Sequence, residues 1–373
     1  MITIEEISGR KELKQFVKFP FQLFKNNPYW VPPIISEELD SFDKDKNPVF
    51  EHASARFFLA LKKGKIVGRV AAIINNIEIE QQGIKKMRFG WFDVIDDIEV
   101  SKALLNKVYR IGKENGLDFI EGPLGFSNLD KVGVLIEGFD QLSTSLTWYS
   151  KPYYKEHFEQ LGYTTEKTFR ESYLVFDNLE IDRYHRFSKI VQEKYHVRPL
   201  NFKNSKEIFP YVDEMFEVFN KSYARLSSFV PITKSQINFF KTKYLSFINP
   251  EYIKFVLDKE GKIIGFAITM PSYAKAMQKA KGKLFPFGFW HLLKARKSND
   301  VVDFYLIGIL PEYQNKGVNA VIMSEFYKTY KKNNIKITNQ TPELEDNTQI
   351  HSMWKNFDVK VNKRRSTYVL PIN

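Results

Sequence analysis

The sequence predicts two tandem α/β domains, each built around a mixed sheet. Its 373 residues are too many for one ordinary hydrophobic core and suit two domains of average size. An internal repeat supports this prediction, because one succession of strands and helices occurs twice along the chain. We therefore expect a first domain over residues 1–180 and a second over residues 190–373, with the boundary in a charged stretch at 177–196.

The repeat is clearest in two matching β-hairpins. Residues 57–74 contain two apolar runs on either side of a turn rich in lysine and glycine, and residues 253–268 repeat this pattern. Apolar runs that flank such a turn are typical of a hairpin. In each copy a strand and helices precede the hairpin.

The same elements follow each hairpin: a strand, a helix, a strand, a short aromatic helix and a final strand that closes each half. Leu104, Val108 and Ile111 recur at helical spacing in the first copy, as Ile322 and Phe326 do in the second. In the first copy these elements are predicted at 87–94, from 99, at 117–120, 153–158 and 172–175. In the second copy they are predicted at 303–309, from 318, at 335–338, 350–354 and 366–369.

The segment 271–299 has no counterpart in the first copy. It lacks acidic residues and surrounds the apolar run 284–290 with seven basic side chains. Long insertions in compact domains are usually lids or binding loops. The pattern favours a lid that packs Phe285, Phe287, Phe289 and Trp290 onto the domain. The alternative is a surface that meets anionic lipid through its lysines and inserts its aromatic rings. The basic residues are Lys275, Lys279, Lys281, Lys283, Lys294, Arg296 and Lys297.

Composition excludes several classes of function. The chain has no cysteine, which rules out disulfides and thiolate catalysis, and its six histidines show no paired spacing typical of metal ligands, so no metal is assigned. The net charge of +12 is spread along the chain without a zinc-finger, RRM or KH signature, which argues against nucleic acid as a partner. Without a signal-peptide core or an apolar membrane span, we expect a cytoplasmic protein, with peripheral membrane contact through 271–299 as an option.

The segment 306–320 carries the strongest chemical signal. A strand ends at Pro311, and a short loop leads into a helix whose first turn has free N–H groups and the positive end of the helix dipole. Gly317 lets the backbone approach a bulky anion, and Lys316 adds positive charge. The segment suits a pyrophosphate, although an ordinary strand-turn-helix with a glycine in its turn would give the same pattern.

Pro-Glu-Tyr followed by Gln-x-x-Gly-x-x-Ala at 311–320 resembles motif A of the GNAT acyltransferase superfamily. The resemblance implies two tandem GNAT-like domains and acetyl-CoA or another acyl-CoA as the cofactor. Asn319 stands where the superfamily has its second glycine. The resemblance implies contacts to the cofactor from Ile307, Gly308, Ile309, Gln314, Lys316, Gly317, Val318 and Asn319.

A second likeness lies in Asn347, Ile350 and Trp354, which are spaced like Asn-x-x-Ala-x-x-x-Tyr of the superfamily, with Asn356 and Phe357 in place of its Gly-Phe pair. It implies that Asn347 contacts the cofactor arm. Trp354 cannot protonate a departing thiolate as tyrosine does, because an indole N–H is a very weak acid. The general acid is therefore unassigned.

The first copy lacks the residues that suit a pyrophosphate. Asp96, Asp97 and Glu99 occupy the start of its matching helix, where carboxylates favour the helix dipole and repel a pyrophosphate. Its loops at 122–125 and 133–140 are candidates for the acceptor side, or packing turns.

The resemblance implies an N-acyltransferase that moves an acyl group to a primary amine, with help from a general base. Candidate catalytic residues are Glu343, His351 and Tyr305, beside Glu345, Asp346 and Asp303. The run 282–288 resembles a bacterial branch of long GNAT-like proteins, some linked to N-acylation of long-chain lipid amines, so a lipid-like acceptor is an alternative to a small molecule. A non-catalytic binding module and a peptidyl transferase that uses charged tRNA stay open.

Overall fold

The computed structural model describes residues 1–176, 181–226, 228–243, 248–354 and 357–373. The part of the predicted domain boundary at 177–180 and the predicted motif residue Asn356 lie outside these described residues. The positions predicted for both hairpins, and for the strands and helices after them, carry those elements in the structure.

The described part of the first half contains seven strands and five helices. Its longest helix, 98–114, begins where Asp97 accepts a hydrogen bond from the Glu99 amide, 3.1 Å away. Leu104 and Val108 of this helix are fully buried in the first core. The elements are β1 (Ile2–Glu6), α1 (Arg10–Leu23), α2 (Ile35–Ser41), β2 (Ala53–Lys62), β3 (Lys65–Asn75), α3 (Asn76–Glu80), β4 (Lys86–Val94), α4 (Ile98–Glu114), β5 (Phe119–Gly122), β6 (Val134–Glu137), α5 (Tyr153–Gln160) and β7 (Thr164–Val175).

The second half repeats this order, with an additional helix before its first strand and with two helices in the insertion where the first half has α3. Ile322 and Phe326, predicted to share one stripe of a helix, are fully buried in the second core. The elements are α6 (Ile181–Tyr195), β8 (Arg198–Asn201), α7 (Val212–Tyr223), α8 (Lys234–Lys243), β9 (Ile253–Leu257), β10 (Ile263–Pro271), α9 (Ala274–Ala280), α10 (Gly288–Lys297), β11 (Val301–Ile309), α11 (Val318–Lys332), β12 (Ile337–Gln340), β13 (Glu343–Leu344), α12 (Thr348–Trp354) and β14 (Val359–Pro371).

The strands of both halves join into one sheet. Its order is β1-β2-β3-β4-β5-β14-β7-β12-β11-β10-β9-β8, with β6 beside β14 and β13 beside β7. β4 pairs with β5, and β11 with β12, in parallel, whereas both hairpins are antiparallel. The predicted mixed sheet is therefore confirmed.

The last strands of the two halves are exchanged. β14 lies between β5 and β7 of the first half, and β7 pairs with β12 of the second half. The expectation that each copy's own final strand closes its sheet is therefore wrong. The exchange follows from packing. The Tyr368 ring of β14 stacks on the Phe158 ring in the first core, with the ring centres 4.8 Å apart, while Leu174 of β7 lies in the second core.

Buried charges join the two exchanged strands. Arg365 of β14 donates to Glu171 of β7 at 2.5 Å, and both side chains are almost fully buried. Lys363 lies 3.1 Å from the other oxygen of Glu171. These pairs fix the side-chain register of β14 against β7.

The insertion docks on the first half without burying its aromatic rings. Gly282 leaves no room for a side chain, because a Cβ there would come 2.5 Å from the Phe21 ring, and its carbonyl accepts from the Ile35 amide. Phe285, Phe287 and Trp290 are 75%, 70% and 67% exposed. The lid interpretation, in which these rings pack onto the domain, is therefore wrong.

No helix in the described part of the chain is both long enough and apolar enough to cross a membrane.

Candidate functional site

The site begins where β11 separates from β12. The two strands pair only from Val301 to Phe304, and the register of β11 against β10 shifts opposite Tyr305. Such a bulge bends a strand and is common beside active sites. Among the described strands, none pairs with this edge of β11 over residues 305–309, so its main chain faces a cleft.

The loop after β11 ends in a helix start that has no side-chain cap among the described residues. Gly317 is the N-cap of α11, with a left-handed φ of 80° that glycine adopts without strain. The first N–H groups of α11 have no partner within the helix. Gln314 folds back over the loop and donates to the Ile309 carbonyl at 3.1 Å.

A cleft of about 610 Å³ joins this helix start to the first half of the chain. It brings together ten of the twelve predicted site residues: Tyr305, Ile307, Gly308, Ile309, Gln314, Gly317, Val318, Asn319, Glu343 and Asn347.

The other two predicted residues, Lys316 and His351, are not part of this lining. The Lys316 ammonium lies 5.2 Å from the centre of the Tyr313 ring and is exposed to solvent. His351 lies behind Glu343, with its Nε2 3.9 Å from a Glu343 oxygen.

Glu343 is the carboxyl group best placed for proton transfer. It belongs to β13, and its Oε1 accepts from the Trp354 indole at 2.9 Å. Its Oε2 has no hydrogen-bond partner among the described residues and lies 3.9 Å from Arg170 Nε. Burial raises the pKa of Glu343 to about 7, against the opposing effects of the Trp354 hydrogen bond and the Arg170 charge. A carboxyl group with this pKa can accept and release a proton near neutral pH.

The remaining candidates have structural partners, lie at the surface as Asp346 does, or lie outside the cleft. The Tyr305 hydroxyl donates to the Leu129 carbonyl at 3.2 Å, and the Asn347 side chain accepts from the Ile350 amide at the start of α12. Glu345 pairs with Arg364 near the surface. Asp303 lies fully buried at the start of β11, outside the lining of the cleft, and burial raises its pKa to about 6.

Sequence reasoning missed Tyr223 of α7 as a site residue. Its hydroxyl donates to the Ile307 carbonyl at 3.1 Å, so it contacts the same stretch of β11 that opens to the cleft. The aromatic spacing of α7 signals only a buried face, and nothing in the sequence places its last turn beside β11.

The first half contributes the opposite wall, at Leu124 and residues 127, 128 and 130–132. The predicted acceptor loops at 122–125 and 133–140 flank this segment. Glu121 also lines the cleft, and it pairs with Lys167 at 2.6 Å and Lys86 at 2.9 Å. Burial alone would raise the pKa of Glu121, but these two charges lower it to about 2.

Two curated proteins align with nearly the whole chain. Protein YghO of Escherichia coli (strain K12) is 27% identical over 367 residues, which cover 96% of this chain and 93% of that protein. The bacterial ceramide synthase of Caulobacter vibrioides (strain NA1000 / CB15N) is 25% identical over 318 residues, which cover 84% of this chain and 82% of that protein. No family model matches the chain.

Solved structures share the fold at low sequence identity. A tandem GNAT protein from the clavulanic acid biosynthesis pathway aligns with a TM-score of 0.60, covering 100% of this chain and 99% of that chain at 9% identity. A GCN5-related N-acetyltransferase from Sphaerobacter thermophilus aligns with a TM-score of 0.53 and 9% identity over 100% of this chain and 96% of its own. The chain therefore has the tandem GNAT fold, as the repeated elements and the motif at 306–320 predicted.

Proposed function

We propose that the chain is an N-acyltransferase that moves an acyl group from acyl-CoA to a primary amine in the second half's cleft. One observation carries the proposal: the unpaired edge of β11, the uncapped start of α11 and the buried carboxyl of Glu343 all face the same cleft.

The described residues fit the acyl donor. The free amides at the start of α11 suit a pyrophosphate, and Gly317 keeps its backbone free of a side chain. The main chain at 307–309 offers hydrogen-bonding groups to an extended amide-containing arm. When bound, acyl-CoA supplies a thioester carbonyl.

Glu343 is the proposed general base. Amide formation joins the amine nitrogen to the thioester carbon and breaks the carbon–sulfur bond. CoA leaves as a thiolate that takes up a proton, and the ammonium group of the acceptor must first lose one. An alkyl ammonium has a pKa near 10.4, so its deprotonation at pH 7 costs roughly 4–5 kcal/mol. The Oε2 of Glu343 is free to accept this proton, directly or through water, while Trp354 holds Oε1.

A thermal-shift series with CoA, acetyl-CoA and palmitoyl-CoA tests donor binding. A ligand that binds only the folded protein raises its unfolding midpoint as the ligand concentration increases. We expect the unfolding midpoint to rise with the concentration of at least one thioester. In a separate assay, adding an amine to the protein and that thioester should release free thiol. A rise without thiol release from any amine would favour a non-catalytic binding module instead.

A long acyl donor with a lipid-like amine is the second candidate. A ceramide is an N-acylated long-chain amino alcohol, and one relative is named a bacterial ceramide synthase. Four apolar side chains line the cleft on the elements next to Glu343: Phe169, Leu344, Ile350 and Met353. An apolar wall of this kind suits a hydrocarbon chain.

Competition between donors separates the two candidates. We expect palmitoyl-CoA to give a higher kcat/KM than acetyl-CoA when a long-chain amine is the acceptor. Replacing Met353 by Gln would place a polar group in the apolar wall and lower the preference for palmitoyl-CoA. Equal use of both donors by the parent protein would favour a short-chain acetyltransferase.

A further inference from the structure

The segment 283–297 exposes several aromatic rings to solvent. Phe285, Phe287 and Trp290 are each at least two-thirds exposed, and Phe289 is 37% exposed. The rings of Phe285 and Phe289 stack with their centres 6.3 Å apart, so they form a continuous apolar patch. Such patches on soluble proteins usually mark sites of interaction.

The backbone holds the patch in place. Gly288 begins α10 in a position that admits no side chain, because a Cβ would lie 1.8 Å from the Lys283 carbonyl. Gly282 packs against Phe21 of α1, and Gln278 donates to the Trp30 carbonyl at 3.0 Å. The patch is therefore displayed by elements that are fixed to the first half.

Positive charge surrounds the aromatic rings. The segment 271–299 has seven basic and no acidic side chains, and its six lysines are exposed. None of these seven forms a salt bridge with a described residue. Unneutralised charge of one sign favours a partner of the opposite sign.

The charges and a ring share one face of α10. Trp290, Lys294 and Lys297 occur at helical positions i, i+4 and i+7, which lie above one another on a helix, and all three are exposed. Leu292 and Leu293, between them in sequence, are partly buried. An exposed face of this composition is typical of helices that lie in a lipid interface.

We propose that segment 283–297 docks the protein on an anionic lipid surface, with Phe285, Phe287 and Trp290 inserted among the headgroups. Lysines on a lipid-facing helix attract the negative surface, and aromatic rings then bury apolar area in the interface. This docking does not depend on the proposed acyltransferase activity. It predicts binding to vesicles in the absence of CoA, amine and catalysis.

Co-sedimentation of the full chain with vesicles tests the proposal. We expect binding to vesicles of phosphatidylcholine and phosphatidylglycerol, and much weaker binding to phosphatidylcholine alone. High salt should weaken the binding, since the Debye length falls from about 8 Å at physiological ionic strength to about 3 Å at 1 M. Trp290 gives a direct signal, because it is the most exposed of the five tryptophans, and its emission should move to shorter wavelength on binding.

Two double variants separate the contribution of the aromatic rings to vesicle binding from that of the lysines. Phe287→Ser with Trp290→Ser, and Lys294→Glu with Lys297→Glu, should each weaken vesicle binding by at least about tenfold. All four side chains are exposed, so the fold should persist, and near-ultraviolet circular dichroism checks this. The matched controls are Phe209→Ser, at another exposed aromatic residue, and Lys259→Glu with Lys262→Glu, in the turn of the second hairpin.

The proposal is overturned if the parent protein does not bind phosphatidylglycerol vesicles, or if the patch variants bind as well as the controls. A concentration-dependent dimer that Trp290→Ser dissociates would also overturn it, because a second copy of the chain would then cover the patch. Vesicle binding by Glu343→Gln, which lacks the proposed general base, would support docking whether or not the proposed activity is found.

Discussion

At the scale of the residue, the protonation of Glu343 is set by its surroundings. Burial raises its pKa to about 7, and the Trp354 hydrogen bond and Arg170 charge limit that rise. Because the ionised form is the proposed base, we expect kcat/KM for the acyl donor, at saturating amine, to increase with pH through a midpoint near 7. Trp354→Phe removes the donor that stabilises the carboxylate, and so should move this midpoint to higher pH.

Arg170→Gln should move the midpoint in the same direction, which makes the test independent of any packing defect at Trp354. Lys360→Gln, at an exposed position on β14, should leave the midpoint unchanged. A midpoint that stays in place in both Trp354→Phe and Arg170→Gln would remove Glu343 from the proposed role.

The same burial has a consequence for stability. The pKa of Glu343 is higher in the folded protein than its ordinary value of 4.5, so ionisation opposes folding as the pH rises from about 4.5 to about 7. Glu343→Gln avoids this cost. At pH 8 we expect the free energy of unfolding of the variant to exceed that of the parent by on the order of 3 kcal/mol. The variant should therefore unfold at a higher temperature. The difference should shrink towards zero near pH 4, where the parent carboxyl is largely protonated in both states; an equal difference at both pH values would contradict the assigned pKa.

Asn319 offers the cleanest test of anion binding at the start of α11. An acidic residue in the first turn favours the helix dipole, so Asn319→Glu should fold, but its charge would repel a pyrophosphate. We expect the Kd for CoA to increase at least about tenfold in calorimetric titration. Asn106→Glu, at an exposed position on α4, is the charge-matched control and should bind like the parent. Gly317 is less suitable, because a Cβ there would lie 2.9 Å from Val191 and would disturb α6.

Local sequence could predict Glu343 as a candidate but not its environment. The match of Trp354 to a tyrosine position indicated a lost acid. In the structure its indole instead holds Glu343, eleven residues earlier in the chain. That contact arises because β13 pairs with β7, at Glu343 opposite Arg170, and such a pairing has no periodic signal in the sequence.

At the scale of the element, β14 depends on one buried ion pair and much less on its exposed neighbour. Arg365→Gln would leave Glu171 buried beside Lys363 without its main partner, the Arg365 guanidinium. We expect a loss of about 3–5 kcal/mol in the free energy of unfolding, measured in urea. Arg364→Gln, one residue earlier and pairing with Glu137 near the surface, should lose less than about 1 kcal/mol. Equal losses would contradict the burial of the Arg365 pair.

The strands and helices themselves were predictable, because the spacing of their apolar residues can be seen within a short stretch of sequence. Alternation and turn residues located both hairpins, and helical spacing located α4 and α11. The exchange of β7 and β14 was not predictable in this way, since both strands have suitable apolar patterns for either core. Which core each strand enters depends on contacts such as Tyr368 with Phe158, across about two hundred residues of sequence.

At the scale of the whole molecule, the exchange makes the halves mutually dependent. A fragment of residues 1–176 lacks β14, which separates β5 from β7 in the full chain, and a fragment of residues 181–373 lacks β7. We expect neither fragment to fold alone, and their mixture to recover a folded complex, as judged by size exclusion and near-ultraviolet circular dichroism. Cooperative thermal unfolding of the 1–176 fragment by itself would show that the first half is independent.

The tandem architecture was predictable from the repeat, whereas the surface of the insertion was not. Aromatic residues are usually buried, so the sequence favoured a packed lid. In the structure, Gly282 and Gly288 allow close backbone contacts that no larger residue would permit. Phe287 and Trp290 are exposed to solvent.

The exchange of β7 and β14 also determines when the sheet can be completed during synthesis of the chain. β5 and β7 are synthesised early, but β14, the strand that lies between them, is synthesised roughly 200 residues after β7. At about 5–20 residues per second, the nascent chain would wait roughly 10–40 s with those two edges unpaired. Unpaired edges favour association with other chains, so the synthesis of β14, rather than the emergence of the first half, determines when these two strand edges are protected from aggregation.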